Sequence, residues 1–140
     1  MAFDHQRNVG NLVPLLADGE RILTSIPGFF QYDFPDGEFL DEASLVLTTE
    51  RLLAYRKKLL TSWLAKVPIG RVTNIDMMPM IMMLSGIELP IGVILVGFTG
   101  TEWKNWSVKL TAKEKDAGAE FVRQVRHAFP RVGGLPQVDE

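Results

Sequence analysis

The sequence predicts a mainly β protein: seven antiparallel strands curled into a small barrel or sandwich, capped by one C-terminal α-helix. Three observations predict it. Residues 45–75 (LVLTTERLLAYRKKLLTSWLAKVPIGRVTNI) read as strand, tight turn, strand, basic turn and strand, which is an antiparallel meander. Residues 103–111 alternate, with Trp106, Val108 and Leu110 on one face and Asn105, Ser107 and Lys109 on the other. The apolar stripe at helical spacing comes last, as Ala117, Phe121, Val125, Ala128 and Phe129. A sheet of so many short strands must curl or split into packed layers. A helix with a single apolar stripe must cover it.

The elements follow in order. Residues 11–17 (NLVPLLA) are an apolar lead-in, a helical turn whose length Pro14 limits. Asp18-Gly19-Glu20 is a turn. Residues 21–34 form a strand that Pro27-Gly28 interrupts, so a bulge or sharp bend is expected there. Pro35-Asp36-Gly37 supplies turn chemistry. The meander runs from Ala43 to Val67, and its last strand is the apolar and aromatic run from Leu59 to Val67. After a break at Pro68-Ile69-Gly70, residues 72–84 form a strand that Pro79 confines to an edge or a bulge. Ser85-Gly86 turns into residues 91–98 (IGVILVGF), the strongest buried strand of the chain. Residues 99–102 turn again into the alternating strand, and Trp103 sits in that turn as the most exposed of the tryptophans. The helix opens on Thr111-Ala112-Lys113-Glu114, a capping box. Arg126 and His127 suit its electronegative end, and Pro130 stops it.

A chain of 140 residues with 46% hydrophobic and 23% charged residues fits one domain that buries a core without staples. We place that domain at residues 1–132, with its core at about 12–130 and a polar tail at 133–140. The chain has no cysteine, which excludes disulfides and thiolate metal sites. The N-terminal residues show no charged leader followed by an apolar core. The longest apolar stretch, 77–84, is far short of the roughly 20 residues that cross a bilayer. A cytoplasmic location is expected.

Charge is unevenly spread. Residues 1–50 are rich in acids, whereas residues 51–75 carry Arg51, Arg56, Lys57, Lys58, Lys66 and Arg71 and no acid. Such a cluster suits an anionic surface; equally, lysines on a hairpin discourage edge-to-edge pairing. Met77, Met78, Met80, Met82 and Met83 leave only Met1 elsewhere. Methionine fills irregular core gaps, but on a strand the alternation of side chains sends some of these outward, where they form an apolar surface. Thioether ligation of copper(I) has no supporting histidine or cysteine nearby. His5 and His127 are far apart without flanking ligands, so neither a metal site nor acid–base chemistry is expected from them. The motifs of serine hydrolases, P-loops, dinucleotide sites and zinc proteases are absent from the sequence.

Four stretches resemble the pleckstrin-homology-like superfold, in particular the bacterial PH-domain and GRAM-like families. They are Leu16 with Gly19-Glu20-Arg21-Ile22 ("L…GE.I"), the hairpin over residues 45–55 ("L.LT..RLL.Y"), Val67-Pro68 with Val72 and Ile75, and Trp106-Ser107-Val108 ahead of a helix carrying Phe121-Val122. The resemblance covers roughly residues 12–130. It implies a binding module. Members engage phosphoinositides, peptides or proteins, and some bacterial members form homo-oligomers. The phosphoinositide class carries a lysine and an arginine in and after its first strand. Here that stretch has Arg21 and then Asp33, Asp36, Glu38, Asp41 and Glu42, where a phosphate meets like charge.

The expectation is therefore a non-catalytic module for protein–protein interaction or homo-oligomerisation. Its candidate partner-binding residues are Met77, Met78, Met80, Met82 and Met83. The alternative is anionic-lipid or membrane-surface binding through Arg56, Lys57, Lys58 and Lys66. No cofactor, metal or nucleic acid is implied.

Overall fold

A computed structural model describes residues 3–34, 37–98, 105–111, 114–130 and 132; of residues 32–39, 82, 84 and 105, side chains are not described. Seven strands form one antiparallel sheet: β1 (Ile22–Phe34), β2 (Gly37–Thr48), β3 (Arg51–Lys57), β4 (Ser62–Pro68), β5 (Val72–Leu84), β6 (Ile87–Phe98) and β7 (Asn105–Leu110). Two α-helices flank it, α1 (His5–Leu12) and α2 (Lys115–Ala128). The spatial order is β4-β3-β2-β1-β7-β6-β5, so the meander and the β5–β6–β7 unit are joined through the β1–β7 ladder. The mainly β class with a C-terminal helix stands as the sequence predicts. Among the described residues, no helix is long and apolar enough to cross a membrane.

The sheet curls around one core. Leu45, Leu47, Leu52, Ala54 and Val67 of the meander share it with Ile75, Ile94, Val96 and Trp106 from the other half, and with Phe121, Val122 and Val125 of α2. The helix stripe is Gly118, Phe121, Val122 and Val125, with Phe129 packed alongside. Ala117 and Ala128, expected on that stripe, are exposed. Spacings of 3, 1 and 3 bring Gly118 and Val122 onto the buried face instead. At Gly118 an added Cβ would collide with Leu110 Cδ1, so the missing side chain is what lets α2 sit close to β7. Glu114 does reach back, accepting from the Thr111 backbone N–H at 2.9 Å, which is one half of the expected capping box.

The smaller cluster, Leu12, Val46, Leu53 and Tyr55, lies on the other side of the same strands. It is the seat of α1, which the sequence reading misses. Asp4 caps that helix by accepting from the Arg7 N–H at 3.0 Å. Leu12 and the buried Asn8, four residues apart, then share one face. Because α1 covers the outer face and the core lies on the inner one, β2 and β3 are buried on both sides. This explains their unbroken apolar runs, Leu45-Val46-Leu47 and Leu52-Leu53-Ala54-Tyr55.

Two further expectations are corrected. Pro27-Gly28 makes no bulge: Pro27 pairs with Ser44 and Gly28 with Ala43 in an unbroken ladder, and the register shift lies between Ile22 and Thr24. The proline is tolerated because pairing to β7 begins only at Phe29, beyond it. Leu59 and Leu60 do not open the last meander strand, which starts at Ser62; they are the two central residues of the β3–β4 turn, closed by Lys58 N–H donating to the Thr61 carbonyl at 2.7 Å. Pro79 does fall on an edge strand, as expected, since β5 ends the sheet. The turns at 35–36 and 99–102, Trp103 and the tail at 133–140 lie outside the described residues.

Candidate functional site

The residues that carry the family resemblance turn out to meet one another. Glu20, from "GE.I", is buried beside Thr48 and Arg51 from the β2–β3 hairpin. Arg51 donates from Nε to Glu20 Oε2 at 2.9 Å and from an Nη to Oε1 at 2.7 Å, a bidentate fork. Thr48 Oγ1 donates to Glu20 Oε2 at 2.5 Å, and the Ala17 N–H donates to Oε1 at 2.9 Å. The hydrogen bonds from Arg51, with lesser help from Thr48 and Ala17, hold the Glu20 carboxyl at about 2 against an ordinary 4.5, despite its burial. Every acceptor position is occupied by the protein's own donors, so this cluster staples the fold and offers nothing to a ligand.

His5 lies between two serines. Its Nδ1 is 2.8 Å from Ser44 Oγ and its Nε2 is 3.2 Å from Ser25 Oγ. A serine–histidine contact invites a catalytic reading, but Nδ1 faces a hydroxyl where a nucleophile–base pair needs an orienting carboxylate. Ser44 Oγ also accepts from Asn8 Nδ2 at 2.9 Å. It can therefore donate to His5 Nδ1, leaving Nε2–H to donate to Ser25, which is the neutral imidazole. The network docks α1 on the sheet. Asn8 completes it, donating to the Tyr55 carbonyl at 2.7 Å and accepting from the Lys57 N–H at 2.8 Å.

Burial pulls the His5 pKa below its ordinary 6.5, partly opposed by Asp4 and Glu114. The unfolded chain therefore takes up this proton first. The stability contributed by neutral His5 is present above about 6.5 and is lost as pH falls through the folded value. Ring-proton NMR is expected to place the His5 midpoint below that of a model peptide, with amide protection in α1 falling over the same range. A midpoint at or above the peptide's would refute the assignment.

The methionine candidates lie on β5, in the long β5–β6 hairpin. Its ladder runs from Val72↔Phe98 to Leu84↔Ile87. Ser85 and Gly86 both have positive φ, 52° and 79°, the primed turn that a two-residue hairpin loop requires. The β7 ladder reaches only Gly92 to Gly97, so the ribbon beyond Met80↔Ile91 runs past it. There Met80 is 49%, Ile81 65% and Met83 60% exposed, and Ile87 is comparably open. Alternation puts Met80 and Ile87 on one face and Ile81 and Met83 on the other, so the ribbon shows exposed apolar side chains on both faces, with the exposed Glu88 opposite Met83 on the second. Met78 is exposed nearer its base. Met77 differs, because its register position faces the core, where it packs beside Gly92 and Gly118. The Met82 side chain lies outside what is described.

The basic candidates divide. Arg56, Lys57 and Lys58 line a cleft of about 560 Å³ between α1 and the β3–β4 hairpin, together with Phe3, Asp4, Arg7 and Leu59. Lys66 does not line it. Lys58 Nζ is paired with Asp41 at 2.9 Å. Arg56 lies 4.5 Å over the Phe3 ring and donates weakly to the Glu42 carbonyl at 3.4 Å. Arg7, absent from the sequence candidates, joins the cleft because α1 exists. Asp4, three residues before a helix-compatible Arg7, was the signal for it. Of the tryptophans, Trp106 is core, whereas Trp63 is partly buried and donates from Nε1 to Asp41 Oδ2 at 2.9 Å. Among the described residues, no cluster of three His, Asp or Glu side chains could hold a metal ion.

No protein-family model matches the chain, and no curated protein matches it. Among solved structures the chain is similar to the hSac2 domain from human phosphoinositide phosphatase Sac2, with a TM-score of 0.53 over 99% of this chain and 92% of that one. At 12% identity this likeness is one of fold alone.

Proposed function

We propose that this protein is a non-catalytic binding module of the PH-like kind, and that it associates with a second copy of itself through the β5–β6 ribbon. The observation that carries the reading is the ribbon beyond Met80↔Ile91, which exposes apolar side chains on both faces and ends the sheet at β5. Solvated two-stranded ribbons are marginal alone, and apolar patches of this kind mark interaction surfaces. β5 also ends the sheet with a backbone edge: Arg126 donates to the Ile75 carbonyl, the Met77 N–H donates to Asp76 and Pro79 lacks an N–H, whereas the stretch beyond Met80 is open to a further strand. Pairing of the 80–84 edges of two copies would extend the sheet and cover the methionines. The PH-like reading is supported by the strand order, by the helix that follows the last strand, and by the meeting of Glu20, Thr48 and Arg51. The phosphatase activity in the structural neighbour's title is not carried over, because fold does not imply function.

Light scattering coupled to size-exclusion chromatography is expected to show concentration-dependent dimers or larger species. The Met80→Lys/Ile81→Lys double variant should weaken association at least about tenfold, since each buried apolar side chain contributes roughly 1.5 kcal/mol or more. A wild-type protein that stays monomeric at high concentration rules out self-association.

A further inference from the structure

We infer that Met78, Met80 and Met83 of the β5–β6 ribbon form a sulfoxidation site, at which a hydroperoxide converts thioether to sulfoxide and so releases one copy of the chain from another. The inference deepens the proposed self-association and rests on it.

The first observation is selective exposure. Met78, Met80 and Met83 are open to solvent, whereas Met77 packs against the core beside Gly92 and Gly118. Neighbouring positions of one strand thus present accessible sulfurs and a sheltered one, and oxidation follows access. The chain has no cysteine, so no thiol of its own competes for the oxidant.

The second observation is the choice of residue. Strand positions favour β-branched and aromatic side chains, as Ile81 and Ile87 of the same ribbon show. Methionine adds neither strand propensity nor rigidity. It adds a flexible chain with a soft sulfur, and sulfur is what lets a mild oxidant turn an apolar side chain polar.

The third observation is placement. Met78 and Met80, two residues apart, share one face of the ribbon, and Met83 lies on the other. Oxidation therefore puts a strongly hydrated S=O group on both faces, in and beside the stretch of β5 that is open to a further strand. The donors nearest to it are edge N–H groups, which strand pairing itself uses, so covering the sulfoxide with a second copy leaves it unsatisfied.

The step balances with a hydroperoxide alone. A sulfur lone pair attacks one peroxide oxygen, the S–O bond forms and the O–O bond breaks. The departing hydroxide or alkoxide takes the remaining proton as water or alcohol. Sulfur loses two electrons and the peroxide gains them. A dithiol reverses the change, carrying the oxygen away as water and becoming a disulfide. Association covers the same sulfurs, so the free copy is the one oxidised, and exchange between free and joined copies brings the rest over.

The test treats the full chain with hydrogen peroxide, follows assembly by light scattering and maps sulfoxides by peptide mass spectrometry. Met78, Met80 and Met83 should oxidise well ahead of Met77, and more slowly at higher protein concentration. Association should weaken about tenfold or more. A methionine sulfoxide reductase with dithiothreitol should restore it. Met78→Leu/Met80→Leu/Met82→Leu/Met83→Leu conserves apolar volume; this variant should associate like wild type and stay associated in peroxide. If the variant folds poorly, the reversal on wild type decides. Oxidised wild type that associates as before would overturn the inference and leave self-association standing. Wild type that is monomeric before any oxidant would overturn both. Oxidation of Met77 as fast as the others would mark a general lesion and overturn the selective site. Release that the reductase does not reverse, or that the leucine variant shares, would place the damage elsewhere and also overturn it.

Discussion

Replacing Trp106 with alanine is expected to cost about 3–5 kcal/mol of stability, which for a domain of this size lowers the thermal midpoint by roughly 10 °C or more. The side chain is 1% exposed. Its ring meets Phe30 at 5.1 Å and Phe98 at 5.3 Å, both edge to face, a geometry that adds to area burial. Its position multiplies the effect. β7 is the strand through which β1 and β6 connect, so the tryptophan bridges Phe30 of β1 and Phe98 of β6. Alanine would leave a void between the two halves of the sheet, where neither can relax without moving the other. Trp106→Phe should recover a large part of the loss. Calorimetry showing a midpoint shift of only a few degrees for Trp106→Ala would mean that the two halves are not coupled there.

Glu20→Gln is expected to remove about 3 kcal/mol near neutral pH, the equivalent of a carboxyl held at about 2 rather than 4.5. Glutamine keeps the shape but loses the charge that Arg51 needs, and removing one partner of a buried pair leaves the other uncompensated. The pH dependence has a definite sign. A depressed carboxylate contributes stability that is present above about 4.5 and is lost as pH falls toward 2. Wild type should therefore weaken over that window, and the variant should weaken less. Denaturant melts at neutral pH and at about pH 3 measure both slopes. Parallel loss in the two proteins would show that other carboxylates control acid unfolding.

The alternating and glycine- or proline-marked parts of the chain were legible. Trp106, Val108 and Leu110 are buried as their period of two requires, Ser85-Gly86 turns, and Pro79 falls on an edge. Helix α1 was not read, although its trace was present. A continuous run such as Leu52-Leu53-Ala54-Tyr55 in an antiparallel hairpin demands cover on both faces, and the residues ahead of the apolar lead-in are free to supply it. Leu59 and Leu60 read as part of the following strand because hydrophobicity alone does not distinguish a buried leucine from one at a turn. The backbone bond from Lys58 to Thr61 decides that. For the candidate site, sequence proximity gathered the methionines, but alternation then sorted Met77 inward from Met78, Met80 and Met83. The basic cluster gained Arg7 and lost Lys66 for a reason no local pattern carries, namely where a distant helix lands.

The landing place of α1 also sets an order of events at the ribosome. Asn8 is synthesised before its partners, since the Tyr55 carbonyl and the Lys57 N–H lie 47 and 49 residues further along. Until β3 has emerged and paired, the helix has no seat, and Val46, Leu53 and Tyr55 have no cover on their outer side. The nascent meander is thus exposed on that face, and α1 acts as a latch that closes only after the strands it covers have been made.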